Sequence, residues 1–505
     1  MPEQLAESIV QLALRRGFFN PTAEIYRASA GFYDLGPLGA LMKNNLINYW
    51  IDTFVKRETS FDVYLIDGSL ILPYDALKAS GHVDKFTDPM AECKKCGRAH
   101  RVDQLIEDVL GLKVEGKSIE ELQEIVRKNG VSCPNCGGEL AGFKEHHLMF
   151  KLSVGGGEET AFLRPETAQN IFLNFKRIAF SMRAKLPFAV AQVGKSFRNE
   201  ISPRQSIIRL REFSQMEVEV FFSPLRADGP RGFEEVGDTV IRVLTREEQM
   251  RGNGEAVELR ARDAVEEGIV PNRFLAYYLA REVRFFQSLG IPPENMRFRH
   301  LLPEETPHYS GGNFDLEVKF SFGWKEIVGN AYRRDYDLTV HSRHSGEDLS
   351  MDDNGVKVVP HVVEPSFGVE RILYAILEYS YREGIREWPL LMLPRIVSPI
   401  KAVVLPLLDR EALTSRAWEV YTALRMSRRP IYVVYDDRGS IGRRYARADE
   451  AGANLCITID FQTLKDNTVT VRDRDNAQQV RVKIDELEEI IFNDMYKGLE
   501  GTGGG

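Results

Sequence analysis

One stretch, Phe188 to Phe222 (FAVAQVGKSFRNEISPRQSIIRLREFSQMEVEVFF), constrains the fold more than any other part of this 505-residue chain. On a pleat of period two its second half sorts into two faces. Ile208, Leu210, Ser214, Met216, Val218, Val220 and Phe222 form a mainly apolar face, with Glu212 its exception. Arg209, Arg211, Phe213, Gln215, Glu217 and Glu219 form the other. The first half behaves alike, with Gln192, Gly194, Ser196, Arg198 and Glu200 on one side, and residues 201–206 make the loop between. The expectation is an antiparallel hairpin with one core face and one working face. A face that merely met water would seldom interleave a ring, a glutamine and glycines with arginines. A nucleotide site needs all of these: cations for phosphate, a ring for the base and small residues for close approach.

Charge sharpens the point. From Lys195 to Arg211 five basic residues stand against one acid, a net of +4, within a chain of net charge −8 and pI near 5.8. That balance excludes a uniformly basic nucleic-acid binder and confines any such contact to local strips. With 43% hydrophobic and 28% charged residues, disordered, collagen-like and coiled-coil classes are excluded. The length suggests about three domains.

Residues 1–16 read as an amphipathic helix with Leu5, Ile9, Leu12 and Ala13 on one face, without the apolar core of a signal peptide. No run approaches the ~20 apolar residues of a membrane span, so no membrane partner is expected and the cytoplasm is the expected compartment. A Gly/Pro turn at 31–39 leads into a helix carrying Leu41, Leu46, Tyr49, Trp50 and Phe54, and residues 61–73 look like a strand pair. The expected fold class is α+β. A catalytic body spans 1–92 and 137–397, interrupted by a cysteine-bearing insertion at 93–136 and a mainly helical insertion at 225–300. Residues 398–500 alternate strands and helices as a separate α/β domain, and 501–505 (GTGGG) form a flexible tail.

A second segment, Pro360–Tyr379 (PHVVEPSFGVERILYAILEY), reads as a strand ending at Glu364-Pro365 and a helix opening at Gly368. Arg371 falls in the first helical turn, locally unfavourable beside the positive end of the macrodipole but apt where a polyphosphate binds. The combination FRNE, loop, REF on two strands, then GVER on a helix, resembles motifs 2 and 3 of class II aminoacyl-tRNA synthetases. Further matches follow in order: EIYRASAGFYDLGPLGALMKNNL at 24–46, SGH at 80–82, DPM at 88–90, FLRPETAQNIF at 162–172, HYSGGNFDLEV at 308–318, RRDYDLTVH at 333–341 and EPSFG at 364–368. Together they resemble the homodimeric type of glycyl-tRNA synthetase over roughly residues 20–500.

The resemblance implies a class II antiparallel sheet flanked by helices, a zinc-ribbon-like insertion and a C-terminal anticodon-binding α/β domain. It implies activation of glycine by ATP and transfer to tRNA(Gly) by a homodimer. Arg198 would hold the ATP α-phosphate and stabilise the pentacovalent transition state, Arg371 would lie against adenine or the γ-phosphate, and Phe213 would stack on adenine. Glu326, with Ile327 beside it, would help hold Mg²⁺. Asn199, Glu200, the run Ile208, Arg209, Leu210, Arg211 and Glu212, and Gly368, Val369 and Glu370 would complete the nucleotide site. Glycine offers no side chain to grasp, so selection must exclude larger substrates and hold the ammonium. By resemblance this falls to Glu166, Glu217 and the Ser366 hydroxyl, with Arg101 also contacting substrate, within the stretches Phe213, Ser214, Gln215, Met216, Glu217 and Glu364, Pro365, Ser366, Phe367, Gly368.

Cys93-x-x-Cys96 and Cys133-x-x-Cys136, each followed by glycine, read as a closed tetrahedral Zn²⁺ site of structural type, against the competing reading of two redox pairs or of a site that has lost its metal. Lone Cys456 reads as a core thiol. Residues 425–447 hold seven arginines and two acids together with Tyr435, a pattern that suits RNA phosphates and unstacked bases. Two rivals stay open: a class IIa synthetase for another amino acid, and a non-catalytic synthetase-like nucleic-acid-binding subunit.

Overall fold

The computed structural model describes residues 2–26, 30–112, 114, 116–157, 159–201, 203, 206–226, 228–252, 254–306 and 310–499. The tail at 501–505, part of the 201–206 loop, and His308 and Tyr309 of the HYSGG run lie outside the described residues.

Among the described residues a nine-stranded sheet forms the centre. Its strands are β1 (Asp62–Ile66), β2 (Phe188–Phe197), β3 (Glu212–Phe222), β4 (Val240–Leu244), β5 (Val257–Arg260), β6 (Met296–His300), β7 (Asn313–Phe320), β8 (Gly323–Arg334) and β9 (His361–Gly368), in spatial order β5-β4-β6-β7-β8-β9-β3-β2-β1. The centre is antiparallel as expected, while β2–β1 and β4–β6 pair in parallel at the flanks. Helices α1 (Pro2–Arg16), α2 (Pro37–Ile51), α3 (Ala168–Ser181), α4 (Arg273–Ser288), α5 (Tyr336–Ser345) and α6 (Val369–Ser380) cover it. Pro37 opens α2, where its missing N–H goes unneeded.

Both faces of the sheet are buried. Met216, Val218 and Val220 pack with Ile9 and Leu12 of α1, Trp50 of α2, Phe285 of α4 and Ile372 of α6. Phe188, Val190 and Phe221 pack on the other side with Ile171, Phe172 and Phe175 of α3. The alternation in the sequence was therefore a division between two interiors, and Glu217 and Glu219, placed there on a working face, are 1% and 0% exposed. Ile372, Leu373, Ile376 and Leu377 are buried along α6, roughly 1.5–3 kcal/mol each. That burial fixes the helix whose first turn carries Arg371.

Several boundaries differ from the expectation. Residues 208–211 are not strand: a 3₁₀ turn, Ser206–Ile208, precedes β3, which begins at Glu212. The supposed strand pair at 61–73 divides, because β1 joins the main sheet while Ile71–Pro73 pairs with Glu159–Leu163 in a small one. The 225–300 segment supplies α4 but also β4, β5 and β6, so it completes the main sheet and is not a helical appendage. The cysteine unit extends past 93–136, since its sheet is built from Thr87–Cys93, Ala99–Arg101 and Leu140–His147.

The C-terminal domain has a five-stranded sheet with its own core, containing Ala402–Pro406, Val433–Tyr435, Leu455–Ile459 and Thr468–Asp473, where the alternation pointed to strands at 402–407, 430–435, 455–459 and 469–472. The edge strand Gln479–Lys483 and the helix Leu487–Tyr496 were not legible. Cys456 lies buried in the strand Leu455–Ile459.

Candidate active site

The ends of β3, β8 and β9, the start of α6 and the RPET turn at 164–167 surround one cleft. It is lined by Glu166, Arg198, Glu200, Ile207, Ile208, Arg209, Leu210, Phe213, Gln215, Glu217, Glu326, Ile327, Gly329, Glu364, Ser366, Gly368, Glu370 and Arg371. Sixteen of these were read from the sequence; Ile207 and Gly329 were not.

One end of the cleft is cationic. Arg198 donates from Nε to the Pro165 carbonyl at 3.1 Å, and its guanidinium lies 5.4 Å from the Phe213 ring and 5.5 Å from that of Phe86. Arg371 donates to the carbonyls of Ile208 and Glu326 at 3.1 and 2.9 Å and meets the Glu326 carboxylate at 3.0 Å. Burial alone would raise the Glu326 carboxyl, but Arg371, Arg198 and Arg299 outweigh it and hold the group below its ordinary value. Asp315 on β7, which the sequence reading missed, is pushed well above the usual carboxylate range by burial and by Glu326. Glu326 lines the cleft and Asp315 lies within its electrostatic reach, and carboxylate oxygens are donors suited to a hard divalent cation.

The other end is acidic and closed. The Arg164 guanidinium, 0% exposed, donates to the carbonyls of Lys195 and Gly68 and to Asn170 Oδ1 at 2.8, 3.0 and 3.1 Å. It occupies the space over Gly194, where a Cβ would stand 2.1 Å from Arg164 Nη2, so a side chain there would have to push the guanidinium off its hydrogen bonds. This clamp sets the RPET turn, from which Glu166 and Thr167 project. Glu166 accepts from Gln169 Nε2 at 2.9 Å and lies 3.6 Å from His82 Nε2. Burial opposes its ionisation, but His82, Arg333 and Gln169 hold it below the usual range. Glu217 accepts from the Thr167 hydroxyl, and burial together with Glu166 raises it. Burial pushes Glu364 up to about 8 against the pull of Arg333. Gln215 Nε2 donates to Ser366 Oγ at 3.1 Å.

Arg333, the hub of this end, lies in the RRDYDLTVH run, where the sequence alone points to no role for it. It is 2% exposed, donates to both Asp337 oxygens at 2.7 and 2.9 Å and to Glu364 Oε2 at 2.5 Å, and lies 3.8 Å from Glu166. Its spacing of four from Asp337 was the available signal, hidden by the change from β8 to α5 between them.

Other residues expected at the site lie elsewhere. Ser214, Met216, Pro365, Phe367 and Val369 are buried, and Met216, Phe367 and Val369 belong to the core on the opposite side of the sheet. The expected stretches ran through both faces of the strands, whereas side chains at alternate positions cannot share one. Ser214 accepts from Lys43 Nζ at 2.6 Å and donates its backbone N–H to Glu370. Glu212 pairs with Lys195 at 3.1 Å and lines a separate cleft. Arg211 donates to the carbonyls of Glu200 and Ala30. Asn199 offers its carbonyl to His146 Nε2 and its N–H to Leu148. Arg101 pairs with Asp103 and Asp88 and lines an adjoining cleft with Gln104 and Lys325.

The four expected cysteines converge. Cys93 and Cys136 Sγ are 3.5 Å apart, Cys96 and Cys133 are 3.7 Å apart, and all four lie within 4.8 Å of one another. Those gaps are too long for a disulfide bond and close to the edge of about 3.8 Å that a sulfur tetrahedron around zinc would have at about 2.3 Å per Zn–S bond. Gly97 and Gly137, at φ +68° and +66°, close matching turns by donating to Cys93 and Cys133 carbonyls.

In the C-terminal domain the basic stretch is divided. Arg444 is 2% exposed and donates to the carbonyls of Pro406 and Asp437, and Arg447 binds both oxygens of Asp436. These two hold the fold together, whereas Arg425, Arg428, Arg429, Arg438 and Arg443 are exposed. No helix among the described residues is long and apolar enough to cross a membrane.

Residues 150–380 match the tRNA synthetase class II core domain (G, H, P, S and T), and residues 401–493 match an anticodon binding domain. Among curated proteins, the glycine–tRNA ligase of Methanocaldococcus jannaschii is 41% identical, covering 97% of this chain and 99% of its own length. That of Pyrococcus furiosus is 41% identical over 96% and 99%, and that of Aeropyrum pernix 40% over 100% and 99%. Among solved structures, prolyl-tRNA synthetase from Cryptosporidium parvum complexed with L-proline and AMP matches with a TM-score of 0.56 at 13% identity, covering 98% of this chain and 79% of that one. That last likeness is one of fold.

Proposed function

The chain belongs to the glycine–tRNA ligase family, and from that membership we propose that its cleft holds ATP at the cationic end and glycine at the acidic end. Its function is the ATP-dependent ligation of glycine to tRNA. In the first step the glycine carboxylate attacks the α-phosphate, forming glycyl-adenylate and releasing pyrophosphate. In the second the 3′-terminal hydroxyl of tRNA(Gly) attacks the activated carbonyl and AMP leaves. No protein nucleophile is required; positioning and charge carry the reaction.

The observation that carries the assignment of roles is the division of one cleft into opposite electrostatic halves. Arg198, whose guanidinium is not committed to a carboxylate among the described residues, stabilises the charge that builds on the α-phosphate. Arg371, braced by Glu326 and two carbonyls, faces the rest of the nucleotide, and the exposed side of Phe213 takes the adenine. Glu326 and Asp315 would hold Mg²⁺, which supplies charge neutralisation on the phosphates. Glu166, Glu217 and Glu364 receive the ammonium group, and Ser366 and Gly329 close the space where a side chain would go.

Both rivals lose ground on this chemistry. A binding subunit has no use for a buried acidic pocket next to an arginine pair, and a larger amino acid would meet a wall. Pyrophosphate exchange with the twenty amino acids offered singly should proceed with glycine and fall to background with proline, threonine and histidine. No exchange with glycine would overturn the assignment.

The cysteine tetrad fits a structural zinc: all four thiolate positions are filled by protein, so no coordination site is left for substrate. Metal analysis of gently purified protein should return about one zinc per chain, and chelation should open residues 87–147 to protease; zinc near zero in protein that resists protease there would remove the site. We place the reaction in the cytoplasm and expect a homodimer, which sedimentation would contradict by showing a monomer.

A further inference from the structure

Strands β3 and β9 pair so that Glu217 faces Ser366 and Val220 faces Val363. Within that ladder Glu219 comes opposite Glu364. Carboxylate oxygens of Glu217, Glu219 and Glu364 lie within 4.8 Å of one another. Glu219 is 0% exposed, neither of its oxygens has a hydrogen-bond partner among the described residues, and its neighbour on β2 is Val190 of the apolar cluster under α3.

The charged groups facing Glu219 are Glu217 on its own strand, Glu364 on β9, Arg333 on β8 and Asp337 on α5. Arg333, the cation of that set, is already divided between Asp337 and Glu364. Like charges directly opposite across two strands repel, and a buried carboxylate without a partner takes up a proton in preference to staying ionised. Burial first and Glu364 second push Glu219 well above the carboxylate range. Glu219 does not line the cleft, whereas Glu364 does.

We propose that Glu219 acts as a neutral carboxylic acid behind the amino-acid pocket, donating its O–H to Glu364, and that the substrate ammonium enters in exchange for the proton of Glu364. The inference rests on the assignment of Glu364 to the ammonium pocket. The exchange balances: one positive charge arrives with glycine, one proton leaves Glu364 for solvent, and no covalent bond to carbon changes. Ionised Glu364 then accepts from the ammonium on its open side and from Glu219 and Arg333 on its buried side. Without a donor behind it, Glu364 would ionise beside Glu217 and Asp337 with one shared guanidinium. Glu219 is thus a positioning residue that makes the ionised pocket affordable.

Because Glu364 is raised to about 8, below that pH glycine must displace a proton to bind. Glycine KM in pyrophosphate exchange should therefore fall by about tenfold or more between pH 6 and pH 8 and flatten above. Calorimetry of glycine binding to the full chain at pH 7, in two buffers of different ionisation enthalpy, should show release of most of one proton per site. Glu219→Leu, which has no donor, should raise glycine KM by about tenfold and leave the KM for ATP nearly unchanged. Glu219→Gln keeps a neutral donor in the same shape and should restore KM, pH profile and proton release to near the native values.

Absence of proton release in the native protein would overturn the proposal, as would a Gln variant as impaired as the Leu variant, since that would make Glu219 an anion. Unchanged glycine KM in a folded Leu variant would do the same. Should the Leu variant fail to fold, the Gln variant and the proton count still decide. Exchange that remains glycine-dependent in these variants leaves the ligase reading standing whichever way Glu219 falls.

Discussion

Arg198→Ala should lower glycine-dependent pyrophosphate exchange by roughly 10²–10³-fold, with the fold intact. The magnitude is that of removing one preorganised donor from a developing oxyanion. Arg198 is poised for this because its Nε is satisfied by the Pro165 carbonyl while Phe86 and Phe213 confine the guanidinium plane. The remaining nitrogens are left to meet phosphate. Arg198→Lys should recover only part of the loss, since an ammonium supplies charge without the bidentate fork. Glycine KM should move little in either variant, because the acidic end is built by other residues. A loss of less than tenfold in the alanine variant, or a loss confined to glycine KM, would take Arg198 out of the transition state.

Arg333→Met should have the largest effect on stability. The side chain it replaces is 2% exposed and is a cation shared by Glu364, Asp337, Glu166, Glu217 and Glu219, with His82 as the further partner of Glu166. Removing one partner of a buried ion pair costs about 3–5 kcal/mol because the other is left uncompensated. The sign of the pH dependence follows from Glu364, whose carboxyl is raised to about 8 in the folded protein. Below that pH Glu364 is neutral with or without Arg333, whereas above it the native protein gains an ion pair that the variant, whose Glu364 is held still higher without the guanidinium, cannot form. Thermal midpoints measured for both proteins should differ more at pH 8.5 than at pH 6. An equal or larger difference at pH 6 would show that the acids around Arg333 are not what it compensates.

The parts of this site that could be read from sequence were those whose chemistry is local. Glu217 shares a strand face with Phe213 and Gln215, and period two says so whatever lies beyond the strand. The period could not say whether that face was wet. Its burial depends on α3 and α5, which come from other parts of the chain, and so the row was read as a surface. The same limit explains Ser214 and Met216: they sit between pocket residues in sequence and on the far side of the sheet in space. Arg333 and Asp337 were invisible as a pair because a strand ends and a helix begins between them, so neither periodicity applies. Strands β4, β5 and β6 were missed because each is only four or five residues long and lies among helices. The arginines at 425–447 looked equivalent as letters; burial of Arg444 sets it apart from the exposed ones.

On the proposed assignment the floor of the amino-acid pocket would be Glu217, Ser366 and Gly329, one each from β3, β9 and β8, which the register aligns across three adjoining central strands. None of these strands is at an edge, and none can give way without pulling on a neighbour at either side. Room for one extra methyl group would have to come from bending the sheet against both of its packed faces. Overpacking of that kind costs about 1–3 kcal/mol, which corresponds to a preference for glycine over alanine of roughly ten- to a hundredfold or somewhat more. On that assignment selectivity against bulk would be a matter of elasticity: the central sheet would act as a stiff plate whose resistance to deformation measures the substrate.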